Sequence, residues 1–474
     1  MNFSWTFFID FGAIALALLV STYLRAKIRF FQRFLIPNAL TAGFILLPLY
    51  NFLGPRLLLN AESLGELVYH LLSLSFIAMT LRRTPGKRKG KNIFATSISV
   101  LLQYGLQATF GLLATFLLIS TLLPDLFPAF GWLLPLGFSL GPGQAFAIGQ
   151  GWEELGFAGA GTLGLTFAAV GFVWACFGGV FLINYGIRKG WVARDEIAFL
   201  KNRGARTGIY PKDKELPVGA RLTTESEAID SMSLNIAMVF FTYLLTYLFL
   251  RLVTYFLSFA GDMGMELATS LWGIGFVFAA IIALLIKQLL RVFKVDYLLD
   301  NGSLTRISGT SVDIMVTASI GAISLVIVSQ YWLPIAILCI IGGLFTIVTV
   351  PWICSRLFDD HRFQRMLIIY GASTGTMPTG LALLRVIDPY FETPAASDFM
   401  YSTGLTFVIA IPFILAINFP AYYRTTGKPI YFWLALAVST GYMLFTLISY
   451  LVISKRKATL NPSSIWLKSG DKIA

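Results

Sequence analysis

Two stretches decide how this chain is read. The first is Phe138-Ser139-Leu140-Gly141-Pro142-Gly143-Gln144-Ala145-Phe146-Ala147-Ile148-Gly149-Gln150. The second is Gly371-Ala372-Ser373-Thr374-Gly375-Thr376-Met377-Pro378-Thr379-Gly380-Leu381-Ala382. Each interrupts an apolar run, near 127–150 and near 366–387, with Gly and Pro at its centre. Gly permits a tight reversal, and Pro favours the first turn of a new helix. Backbone broken at membrane depth must be satisfied by protein or by a wet cavity. Both stretches are therefore expected to be re-entrant, entering and leaving on one side.

The surrounding chain has the composition of a membrane protein. Of its 474 residues 57% are apolar and only 13% charged, whereas soluble domains carry about 25% charged residues. That excludes an ordinary soluble enzyme, a disordered chain and a disulfide scaffold. Eleven further apolar stretches approach the length of about 20 residues that a span needs. They run 3–25, 34–53, 66–82, 93–123, 157–187, 233–258, 267–290, 307–328, 331–358, 399–419 and 429–453. Cys176, Cys339 and Cys354 lie in apolar stretches without paired spacing and read as buried hydrophobes. His70 and His361 cannot form a multi-histidine metal site, and no catalytic constellation stands out, so no enzyme is expected.

The net charge of +12 is a matter of sidedness. Cytoplasmic loops hold an excess of Lys and Arg. With the N-terminus outside and both interrupted stretches not crossing, all but five of the 36 basic residues fall on inside segments. Arg56, Arg424 and Lys428 fall outside, and Arg251 and Arg385 lie within apolar stretches. The C-terminus is then inside, and no nucleic-acid partner is needed to explain the charge.

The polar segment 188–232, expected to be a cytoplasmic linker, divides the chain into 1–187 and 233–419. Spans and interruptions follow the same order on both sides. Five crossings per half place the second half in the opposite orientation, a pattern of secondary transporters. The expected fold is an all-α polytopic membrane protein. It has two inverted-topology repeats of five transmembrane helices, each with a re-entrant hairpin before its fifth span. Segment 429–453 is one extra C-terminal helix, and 454–474 is a cytoplasmic tail.

Several residues suit a site where the two tips meet. Helix N-termini favour a carboxylate, while free carbonyls and hydroxyls favour Na⁺. The substrate candidates are Gly143, Gln144, Gln150, Thr376, Pro378, Thr379 and Arg385, the last through its bidentate fork. The Na⁺ candidates are Asp313, an ionisable group within a span, with Ser308, Thr310, Gly141 and Gly375. Asp10, the Glu66 and His70 pair, and the Gln103 and Gln107 pair read as interfacial groups or helix contacts.

The run Gly375-Thr376-Met377-Pro378-Thr379-Gly380-Leu381-Ala382 and the two Gly-rich tips resemble the bacterial sodium/glutamate symporter family. So do Ile36-Pro37-Asn38-Ala39-Leu40-Thr41-Ala42-Gly43 and the small-residue span from Gly159 to Gly186. The resemblance covers about residues 1–420. It implies Na⁺-coupled uptake of glutamate, with Na⁺ as coupling ion, in a bacterial-type cytoplasmic (inner) membrane. Comparable transporters lead us to expect a homodimer. At the first tip only Gly143 and Gln144 match the centre of the family's run. At the second, Thr376-Met377 stands where the family has Ala-Thr. A cation- or proton-coupled carrier or exchanger of another organic anion, and a passive channel, stay open as alternatives.

Overall fold

The computed structural model describes residues 5–34, 36–57, 59–83, 90–192, 207, 209, 218–259, 261–388 and 393–467. Most of the expected linker and the end of the expected tail lie outside the described residues. Those described form helices and no strand. Eight helices among them are long and apolar enough to cross a membrane. The chain is an all-helical, multi-pass membrane protein.

The helices before the linker are α1 Thr6–Lys27, α2 Asn38–Leu53, α3 Ala61–Leu81, α4 Gly90–Thr121, α5 Pro128–Leu140, α6 Pro142–Glu153 and α7 Ala160–Lys189. Those after it are α8 Ser231–Ser258, α9 Gly261–Gly273, α10 Gly275–Val292, α11 Asn301–Gly321 and α12 Trp332–Leu357. They continue as α13 Arg362–Thr374, α14 Met377–Leu384, α15 Ala395–Leu415, α16 Phe419–Thr426 and α17 Pro429–Ser454. Caps explain several boundaries. The side chains of Asn60, Asp230 and Asp300 accept from backbone N–H groups at the starts of α3, α8 and α11. Gly190, in the left-handed region, ends α7.

Two of the eleven expected spans differ. Asn38–Leu53 is a short apolar helix, and α11 is long enough but carries too many Ser, Thr and Gly to count as apolar. A third, 267–290, is divided between α9 and α10.

Helix α7 is the spine of the molecule. One face carries glycines where neighbouring backbone comes within contact distance. A Cβ on Gly164 would stand 2.5 Å from the carbonyl oxygen of Ala145, and one on Gly171 2.6 Å from that of Thr374. Gly178, Gly179 and Gly186 are covered by Tyr370, Leu383 and Phe363. The first part of α7 therefore holds α6, and the remainder holds α13 and α14. Such close approach is what small residues permit between helices.

The two broken segments fold back on themselves. Phe127, before α5, stacks on Phe157 at 4.4 Å, and Trp152, near the end of α6, stacks on the same ring at 6.3 Å. Thus α5 starts and α6 finishes at one end of α7. Gly371 and Gly380 face each other across the turn between α13 and α14, with Cβ-to-Cα spacing of 2.6 Å if a Cβ were added. Phe363 and Leu383 both pack toward the far end of α7. The two hairpins thus approach from opposite ends. We call the end that carries Arg82, Arg83, Lys287, Arg356 and Arg362 the basic end.

Polar contacts tie the remaining helices together. Tyr50 donates to Asp10 at 2.6 Å, joining α2 to α1, and His70 Nδ1 lies 2.6 Å from the Tyr243 hydroxyl, joining α3 to α8. Helix α17 packs on α4 through Gly105 against Met443 and Phe116 against Phe432. At the basic end the segment after α17 turns back over α12. Buried Arg356 donates to the carbonyls of Asn461 and Ser464, both at 2.8 Å, and Trp466 stacks on Trp191 at 4.7 Å.

Candidate functional site

The break in the first hairpin is forced by sequence. Pro142 cannot donate to a preceding turn, so a helix restarts there. Gly141 reverses the chain at φ 97°, a value that suits glycine. In the second hairpin Gly375 and Thr376 separate α13 from α14, whose second residue is Pro378. The two breaks touch: a Cβ on Gly141 would lie 3.1 Å from Thr376 Cγ2 and 3.7 Å from the Gly375 carbonyl oxygen.

A buried network locks the tips together. Ser139 Oγ donates to Gln107 Oε1 at 2.7 Å, and Gln107 Nε2 donates to the Ser373 carbonyl at 3.0 Å and to Thr346 Oγ1 at 3.1 Å. Tyr104 donates to the Ser139 carbonyl at 3.1 Å. One helix, α4, thereby satisfies backbone on both hairpins at the depth where their own helices have ended. Gln107 reads from sequence only as half of an i, i+4 pair on one helix face. Its partners lie 32, 239 and 266 positions away. Ser139 and Tyr104 carry no local signal either.

A cavity of about 160 Å³ opens beside the tips. Pro142, Gln144, Thr376 and Pro378 line it, with Ser75, Tyr104, Ser402, Thr406 and a ring of apolar side chains. Among the described residues no charged side chain lines it. Gln144 is a buried residue that lines the cavity. Thr376 Oγ1 lies 3.2 Å from Thr379 Oγ1. First-turn N–H groups of α6 and α14 have no acceptor within their own helices, and their dipoles place partial positive charge at both tips. The arrangement suits small polar or anionic groups held by neutral donors.

The other sequence candidates are dispersed. Gly141, Gly143 and Gly375 belong to the tips; Gly143 is closed in by Leu72 and Met315. Gln150 lies at the far end of α6, 3.4 Å from Glu153. Arg385 follows α14, close to Arg25 and away from the cavity. On α11, Val312 and Met315 face the cavity, while Asp313 and Thr310 are exposed on another face. Ser308 pairs with Ser75 at 3.1 Å. The structure thus gathers Gly141, Gly375, Gln144, Thr376, Pro378 and Thr379 and leaves Asp313, Thr310, Gln150 and Arg385 apart.

No family model, curated protein or solved structure matches this chain.

Proposed function

We propose that the protein is a secondary active transporter that couples Na⁺ to the uptake of a small carboxylate, glutamate or a relative, by alternating access. The observation that carries this reading is the meeting of two broken helices, arriving from opposite ends of α7, at one cavity. In this reading 1–187 and 233–419 are inverted-topology repeats. The pairs α5–α6 and α13–α14 are their re-entrant hairpins, α7 and α15 their fifth spans, and α17 an addition. The basic end is cytoplasmic, by the excess of Lys and Arg there.

The chemistry follows from what the cavity offers. A carboxylate sits against the first turns of α6 and α14, where the Gln144 amide and the Thr376 hydroxyl add neutral donors. Carbonyl oxygens at Gly141 and Gly375 suit Na⁺. An uncharged cavity disfavours a lone anion, so cation and carboxylate entering together lower the cost of burial. By linkage each then strengthens the other's binding. The working unit is a homodimer by analogy with comparable transporters.

The test is uptake of labelled glutamate into proteoliposomes. An inward Na⁺ gradient should stimulate it severalfold, and dissipating that gradient with an ionophore should remove the stimulation. Uptake that follows a pH gradient instead would replace Na⁺ by H⁺ as the coupling ion. Conductance without gradient coupling would make the protein a channel.

A further inference from the structure

The central cavity does not end at the tips. Phe76, Met79, Met377 and Phe407 line it and also line a second cavity, of about 480 Å³, toward the basic end. That size is within the range of pockets that hold small ligands. Arg82, Arg83, Lys287 and Asn301 line the second cavity, and among the described residues no carboxylate does.

The cations differ in how they are balanced. Arg83 donates to the Leu299 carbonyl at 2.9 Å and lies 3.9 Å from Asp296. Arg82 has no such balance: its Nε is buried without a hydrogen-bond partner, and its Nη2 reaches only the Met400 sulfur, at 3.8 Å. Lys287 donates to the Thr80 carbonyl at 2.9 Å, a neutral acceptor. Arg82 and Lys287 thus share one recess that no carboxylate among the described residues lines, and each makes the other's burial more costly. A bound anion relieves both, and the planar fork of Arg matches an oxyanion.

We infer that this recess is an anion site, in which Arg82 and Lys287 hold a carboxylate, sulfate or phosphate group beyond the Phe76–Met377 neck. Basic pockets between membrane helices also take lipid headgroups, so the oxyanion arrives either on a soluble molecule or on an anionic lipid. The site does not require that the protein transport anything.

Binding is measured on the purified full chain by two arms. In uncharged detergent, thermal unfolding is followed against sodium sulfate and sodium succinate, with sodium chloride at equal ionic strength as reference. In phosphatidylcholine nanodiscs, the same transition is followed with and without phosphatidylglycerol. Sulfate stabilises proteins generally, so the readout is the saturable part that depends on Arg82 and Lys287. Arg82→Gln with Lys287→Gln should raise the half-saturating concentration at least about tenfold, the order expected for losing one charge-assisted hydrogen bond. Arg424→Gln, at an exposed position on α16 and lining neither cavity, should leave it unchanged. If the double variant does not fold, Lys287→Gln alone should weaken binding about threefold or more. Response to soluble anions identifies a soluble ligand, and response to phosphatidylglycerol alone identifies a headgroup. The inference is overturned if the wild type responds in neither arm, or if the variants saturate at wild-type concentrations. Loss of Na⁺-driven uptake with anion binding intact would remove the transport proposal and leave this site standing.

Discussion

The hairpins α5–α6 and α13–α14 touch at their tips but are held in different ways. In the first, Gly141, Pro142, Gly143 and Gln144 are all buried, and the base is closed by the stack of Phe127, Phe157 and Trp152. In the second, Thr376 and Met377 are half-buried and Pro378 is exposed, all on the side that faces the two cavities. Its base is held by polar groups. Buried Arg365 pairs with Asp398 at 2.9 Å and Asp360 at 3.1 Å, and Arg362 donates to the Leu467 carbonyl at 3.2 Å. The difference teaches that the first tip is anchored in the packed interior and offers Pro142 and Gln144 to the cavity, whereas the second borders the path toward the basic end. Substitutions at Gly141 and Gly143 should cost folding, and substitutions at Gln144 or at the second tip should cost transport.

The largest effect is expected where both hairpins share support. Gly171→Val places a branched side chain where even a Cβ is 2.6 Å from the Thr374 carbonyl oxygen. Overpacking of this kind costs about 1–3 kcal/mol or more, and here the obstacle is backbone. The monodisperse peak in size-exclusion chromatography should disappear, whereas Pro378→Ala should keep it. A folded, active Gly171→Val protein would show that α7 is not a rigid spine.

Gln107→Ala comes next. It removes the Gln107 bonds to Ser139, Ser373 and Thr346 and leaves only the direct bond from Ser139 Oγ to the Ser373 carbonyl, at 3.1 Å, for a cost of about 1–3 kcal/mol. Thermal unfolding should move down by several degrees, and uptake should fall with it. If only uptake falls, Gln107 belongs to the binding site and not to the lock between the hairpins.

Thr376→Val keeps the shape of the second tip and removes its hydroxyl. Uptake should fall about tenfold, the worth of one hydrogen bond to a charged group, with unfolding unchanged. A lowered unfolding temperature with normal uptake would make the Thr376 hydroxyl a structural group and not a substrate donor.

The smallest effect concerns the returning C-terminal segment. Its Lys457 contacts Asp359, and Lys91 lies 3.1 Å from the same carboxylate. The Lys457 contact, then Lys91, hold the Asp359 carboxyl below its ordinary 3.8. A depressed carboxyl contributes fully above its unfolded pKa, and the contribution is lost as pH falls through the folded value. The segment should stay docked from roughly pH 5 to 8 and loosen only in acid below about 4. Fluorescence of the Trp191–Trp466 pair reports this. Because Asp359 is exposed, Lys457→Met should cost less than about 1 kcal/mol. Loosening near neutral pH would point to a different titrating group.

The parts of this architecture legible in sequence are those encoded locally. Gly141-Pro142 and Gly375 to Pro378 announce breaks because Gly and Pro act on their own backbone. The glycines of α7 announce close packing, though not which partner packs there. What could not be read is long-range. The Gln107 network joins residues from four separate helices, and the docking of the C-terminal segment rests on Arg356 meeting carbonyls more than a hundred positions away. The rotation of α11 was also hidden. Small polar residues surround Asp313 on several sides of that helix, so no apolar stripe indicates which side turns from the cavity.

Sidedness of the hairpin bases tests the central claim most directly. In protein whose Cys176, Cys339 and Cys354 are replaced, single cysteines are introduced as Asp125→Cys and Glu154→Cys around the first hairpin, and as Asp360→Cys and Lys457→Cys at the basic end. Reaction with a membrane-impermeant thiol reagent is compared in intact and inverted vesicles. The account predicts that the first two react from outside only and the last two from inside only. Asp125→Cys and Glu154→Cys reacting from opposite faces would mean that residues 128–153 cross the bilayer, and the two-hairpin site could not exist.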